Sequence, residues 1–245
     1  MIVERWAMQV FKTTGIAPEP LVPVDQIARA LGVDVIIEAG LVEDGRLEQG
    51  PEVTTILLNQ QVGLARKRFT LCHELGHLIL ATPNEIFTAH RSPAAPDREE
   101  RLCDQFAAAL LMPRLWVRDT FWGSPERLAV ARTVARECGA SLSASVVRLR
   151  EVVGWRRSLL HWRRVHGSWR LTSTVGVPRA VHNRITSSDE TRWILDSLRS
   201  SGSEERRGML PLVIGGHDAR LPVEVSVGSA SAVALAYFGD TEGRC

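Results

Sequence analysis

RFTLCHELGHLIL, residues 68–80, is the stretch on which the reading of this chain turns. Its periodicity predicts a helix from Lys67 to Leu80, closed by Thr82-Pro83. His73 and His77 stand four residues apart, so on a helix their imidazoles project side by side from one face. Two neutral ring nitrogens placed this way can each approach one Zn²⁺ at about 2.0–2.1 Å. Glu74 lies about 100° further round the helix, close to such an ion without replacing a ligand, where it can take a proton. Phe69, Leu75, Leu78, Ile79 and Leu80 make the helix mostly apolar, which predicts burial. A surface helix with two ordinary histidines would not need that apolar character. A buried one needs a partner for both imidazoles and for the carboxylate, and a metal satisfies all three. Gly76, beside the second histidine, lets another backbone come close.

A catalytic zinc takes three protein ligands and keeps a fourth position open. EERLCDQFAAALLMP, residues 99–113, offers the third. Asp97 is expected to cap this helix, which is expected to run to Met112 and stop at Pro113. Glu100 and Asp104 share a face with Ala107, Ala108 and Leu111. Glu100 suits the third ligand, with Glu99 as its replacement. Asp104 could accept the other ring N–H of a ligating histidine and fix its tautomer. Without the upstream histidines, these acids would read as a solvated helix start that complements the macrodipole.

The two segments together resemble the ImmA/IrrE family of zinc metallo-endopeptidases, whose pattern is an HExxH helix followed by E-x-x-A-N-x-F-A-A-x-L-L-M-P. The likeness extends over about residues 1–153. It includes the amphipathic helix at 3–14, the stretch from Pro23 to Val33, and a strand ending in Asn59. The resemblance implies one Zn²⁺ per chain held by His73, His77 and Glu100, with Glu74 as catalytic acid/base. It also implies a protein substrate, a transcriptional repressor of a stress-response or mobile-element circuit. Cys103 stands where the family has Ala, and Asp104 where it has Asn; neither change removes a ligand. Cys72 and Cys103 adjoin proposed ligands and are expected to be buried packing thiols. The donor for the developing oxyanion is left open among His90, Arg91, His161 and Tyr237.

The fold class expected is α+β: an HExxH zinc-peptidase-like domain (1–122), a helical pair (123–154), and a small C-terminal α+β domain (155–245). In the first part, helices are expected at 3–14 and 25–31, strands at 33–38 and 53–59, and a turn at Glu43-Asp44-Gly45-Arg46. The helices at about 125–137 and 141–153 flank Gly139 and have helix-turn-helix length. The second offers a groove mainly Ser141, Ser143, Ser145, Arg148 and Arg150, so packing is the favoured reading over DNA recognition. Strands are expected at 158–165, 169–177, 209–214, 221–227 and 230–238, with a looser linker at 200–208. One helix is expected at 188–199, opened by a capping box from Ser187 to Glu190. Between Trp155 and Arg170, Arg156, Arg157, Arg163 and Arg164 alternate with tryptophans and no acid. They are candidate nucleic-acid contacts. The preferred reading is a hairpin turning at His166-Gly167-Ser168, with tryptophans beneath arginine stems. The C-terminal domain is expected to be sensor-like or recruiting, and His182 and His217 to be surface residues.

Composition sets the outer bounds. The chain has 245 residues, 44% of them hydrophobic and 24% charged, which fits a globular protein and excludes a disordered or collagen-like one. A net charge of +2 supports no whole-chain affinity for nucleic acid or membrane. The longest uncharged run, Val225 to Gly239, falls short of the ~18–20 apolar residues of a membrane helix. Cys72, Cys103, Cys138 and Cys245 are far apart and read as reduced thiols of a cytoplasmic protein. The competing class is a non-proteolytic regulator that keeps the zinc fold and acts by DNA or protein binding.

Overall fold

A computed structural model describes residues 2–81, 96–178, 180–181, 183–202 and 205–238. The fold is mixed α+β. Its contacts divide it into two compact units, one of residues 1–122 with 133–148 and one of residues 123–132 with 149–245.

In the first unit, α1 (Ile2–Thr14) buries Val3, Trp6, Ala7, Val10 and Phe11, one helical stripe. α2 (Val24–Ala30) ends before Gly32, whose φ of +74° an L side chain would resist. A three-stranded sheet follows, with β1 (Val33–Glu38) parallel to the central β3 (Thr54–Asn59) and β2 (Gly45–Gln49) antiparallel to it. Strand β2 takes over the last two residues of the turn expected at 43–46, while residues 43 and 44 do bend. Its sequence GRLEQ hides this, because Arg46 and Glu48 are exposed and Leu47 is half-buried. Backbone pairing to β3 holds β2 in place. Asn59 fixes the loop leading into it, donating from Nδ2 to the carbonyls of Leu41 (2.7 Å) and Glu43 (3.2 Å).

α3 (Leu64–Ala81) lies against β2, β3 and α4 (Pro96–Leu111). Asp97 falls inside the first turn of α4 and does not cap it, since the helix begins at Pro96, a residue suited to the first helical position. A short helix unforeseen in the sequence, α5 (Arg114–Phe121), follows Pro113. α6 (Leu128–Cys138) and α7 (Leu142–Val153) flank Gly139, and each is shared between the two units. α7 offers no groove its Ser145 or Arg148, both fully buried. Arg148 donates to the Met112 carbonyl at 2.8 Å and to both oxygens of Glu4 at 2.7 and 3.2 Å.

The second unit carries a six-stranded antiparallel sheet in the order β5-β4-β9-β8-β7-β6. β4 (Ser158–Val165) and β5 (Ser168–Val175) form a hairpin whose turn residues, His166 and Gly167, have φ of +48° and +80°. Two positive angles are what a two-residue hairpin turn needs. Trp162 and Trp169 are buried beneath it, donating to Ser187 Oγ (2.7 Å) and Asp196 Oδ1 (3.1 Å). β6 (Ile185–Ser187) was not foreseen, and β7 (Arg206–Ile214) begins within the expected linker. β8 (His217–Val227) and β9 (Ser231–Ala236) complete the sheet, against which α8 (Asp189–Ser200) packs. The capping box of α8 pairs Ser188 with Thr191, one residue later than expected. Among the described residues no helix is long and apolar enough to cross a membrane.

Candidate metal centre

The site is built by α3 and α4. Gly76 allows their close approach, because a Cβ there would lie 3.2 Å from Cys103 Cα and 3.2 Å from Phe106 Cδ1. At that spacing His73 Nε2 sits 3.1 Å from His77 Nε2 and 3.3 Å from Glu100 Oε2, and His77 Nε2 sits 3.4 Å from Glu100 Oε1. The outer ring nitrogens face two more carboxylates. His73 Nδ1 donates to Asp104 Oδ1 at 2.9 Å, and His77 Nδ1 donates to Glu99 Oε1 at 3.2 Å. With both Nδ1 protons directed outward, two Nε2 lone pairs and a carboxylate face one another, a repulsive group that a shared cation relieves.

The donor set fits zinc by distance as well as by type. Tetrahedral donors about 2.05 Å from one ion lie about 3.3 Å from each other. The observed separations lie close to that value, with each imidazole facing a different oxygen of Glu100. His73 and His77 are mostly covered while Glu100 is exposed, so one side of the group is open to solvent.

Glu74 turns toward β2. Burial raises its carboxyl pKa, while the neighbouring histidines and the Leu47 backbone amide pull the other way. Cys72 and Cys103 are buried free thiols; burial pushes Cys72 up to about 12 and raises Cys103 too, so neither has thiolate character.

The structure thus brings together His73, Glu74, His77, Glu100 and Asp104. The contact of Glu99 with His77 was not foreseen. The signal available for it was its place next to Glu100 at the start of the same helix. The Leu47 amide lies on β2, a strand the sequence does not announce. His161 is on β4 and Tyr237 follows β9, both in the second unit. His90, Arg91 and His182 lie outside the described residues. Arg156 and Arg157 precede β4, whereas Arg163 and Arg164 lie near its far end, where Arg164 pairs with Asp196 at 3.7 Å.

A helix-borne His-His-Glu group beside a small sheet is the layout of a metallopeptidase domain. Residues 28–150 match the family Peptidase_M78, described as the IrrE N-terminal-like domain, and this chain belongs to that family. It is 36% identical over 107 residues to a radiation response metalloprotease IrrE of Deinococcus deserti, covering 41% of this chain and 37% of that protein. A protein of the same name from Deinococcus radiodurans is 39% identical over 67 residues, covering 26% of this chain and 20% of its own length. The chain therefore matches well under half the length of these relatives. A solved Mycobacterium tuberculosis transcriptional regulator has a similar fold (TM-score 0.54, 14% identity, 96% of this chain, 75% of that one).

Proposed function

We propose that this chain is a zinc-dependent endopeptidase that hydrolyses a peptide bond in a protein substrate, specifically a transcriptional repressor of a stress-response or mobile-element circuit. The observation that carries the reading is the convergence of His73 Nε2, His77 Nε2 and Glu100 on one point, with Glu74 beside them. The family and the metalloprotease names of the Deinococcus relatives support it.

His73, His77 and Glu100 would hold one ion per chain. Bound there, zinc supplies Lewis acidity, polarising the scissile carbonyl and lowering the pKa of water from about 15.7 towards 7. Asp104 and Glu99 hold the two imidazoles in the tautomer that turns Nε2 inward. Glu74, made more basic by burial, accepts the proton of the attacking water and returns it to the leaving amine. The Leu47 amide steadies the Glu74 carboxylate before the first transfer and after the second.

The test is elemental analysis of the purified chain, followed by incubation with the repressor encoded beside it. The reading requires stoichiometric zinc, cleavage at one bond, loss of cleavage on chelation and recovery on adding zinc. A chain that holds no zinc, or that cleaves equally after chelation, overturns it.

A further inference from the structure

The second unit contains a cavity of about 580 Å³. Arg127, Arg156, Arg157 and Arg207 line it, against only two carboxylates, Glu126 and Glu224. Both carboxylates are bound to backbone. Glu126 accepts from the amides of Arg156 (2.8 Å) and Arg157 (2.9 Å). Glu224, almost completely buried, accepts from the Leu128 amide at 2.9 Å. Its other oxygen lies 3.6 Å from Arg127 Nε and 3.8 Å from Arg207 Nε, too far for hydrogen bonds. Glu224 therefore gathers two guanidinium groups at one wall without occupying their N–H donors.

The rest of the wall is Pro125, Gly208, Pro222, Val223 and Tyr237. Its size falls within the roughly 300–1,000 Å³ of small-molecule sites, and its mix of apolar wall and converging charge is theirs as well. Four cations against two anions leave an excess of two positive charges, complementary to a phosphomonoester of about −1.5 to −2. Guanidinium forks match phosphate oxygens in geometry as well as charge. Arg163 and Arg164 are not part of this wall, so the arginine-rich segment is divided between a cavity and a hairpin.

We propose that this cavity binds a small phosphomonoester, its phosphate held by Arg127 and Arg207 and its apolar body against Pro222 and Tyr237. The full chain is titrated calorimetrically with inorganic phosphate, phenyl phosphate and AMP, and with phenol and adenosine as uncharged counterparts, at low and high NaCl. At least one phosphate compound should bind at one per chain, at least about tenfold more tightly than its uncharged counterpart, and more weakly in high salt. Arg127→Gln/Arg207→Gln should weaken it by about tenfold or more with an unchanged circular dichroism spectrum. Arg163→Gln/Arg164→Gln should leave it unchanged. Failure of all three phosphate compounds to bind overturns the proposal. So does wild-type affinity in the first variant, or loss of affinity in the second.

Discussion

The α3–α4 helix pair and the Arg127–Arg207 cavity are both charge clusters, but they use their carboxylates in opposite ways. Between the helices, Glu99 and Asp104 engage the outer nitrogens of two imidazoles, so the inner nitrogens and Glu100 present only lone pairs. In the cavity, Glu126 and Glu224 engage backbone amides, so the guanidinium groups present only donors. The first arrangement suits a cation and the second, on the proposal above, an anion. What completes a cluster is decided by which partners its acids already have, more than by how many acids there are.

The sharpest test of this contrast is Glu74→Gln. Glutamine keeps the shape of Glu74 but cannot take a proton, and Glu74 is not one of the three converging donors. Zinc content should be unchanged while turnover falls by about 10²–10⁴-fold. Cleavage at the wild-type rate would remove Glu74 from the chemistry.

Arg148 and Arg127 provide the next. Arg148 is fully buried, and its guanidinium is held by Glu4 and the Met112 carbonyl. Arg148→Ala should lose about 3–5 kcal/mol of stability in urea unfolding, because the covered Glu4 loses its hydrogen-bonded partner and keeps only the half-exposed Arg114 at 3.8 Å. Arg127→Ala, at a half-exposed cavity wall, should stay within about 0.5 kcal/mol. Equal losses would show that the cavity arginines are structural.

These two arginines also show what a sequence can reveal. HELGH was legible because its chemistry lies within one helical turn, where spacing alone fixes geometry. Glu100 and Asp104 were legible for the same reason, one turn apart on the next helix. For Arg148 packing is the favoured reading, but nothing nearby announces that its partner is Glu4, 144 residues away. The cavity was invisible because its wall is drawn from residues between Pro125 and Tyr237 that share no local pattern. β2 was missed for another reason: an edge strand held by backbone pairing needs no apolar alternation in its side chains.

A smaller effect separates orientation from ligation at the metal centre. Asp104→Asn and Glu99→Gln leave all three converging donors in place but weaken control over the imidazole tautomers. Each should reduce zinc affinity about 10–100-fold in chelator competition. His73→Ala and Glu100→Ala should exceed that range. If Glu99→Gln matched them, Glu99 would be a ligand and the assignment of Glu100 would need revision.

The finest comparison is between two histidines, one in each unit. For His73 burial alone would lower the imidazole pKa, but the Asp104 hydrogen bond and the charges of Asp104, Glu74 and Glu100 outweigh it and leave it raised. For His161 burial acts first and Arg163 adds to it, so its pKa is lowered. In the zinc-free chain the signs follow directly. The contribution of His73 is fully present below the ordinary value of about 6.5 and fades as pH rises through its raised pKa. The protonated form of His161 is disfavoured by folding, so stability is lost there as pH falls from about 6.5 through its lowered pKa. An NMR titration of the zinc-free chain should find His73 titrating above His161, and Arg163→Gln should move His161 upward while leaving His73 where it is. A reversed order would mean that the carboxylates of α4 do not face His73 in solution, and the lone-pair argument for a cation would fall with it.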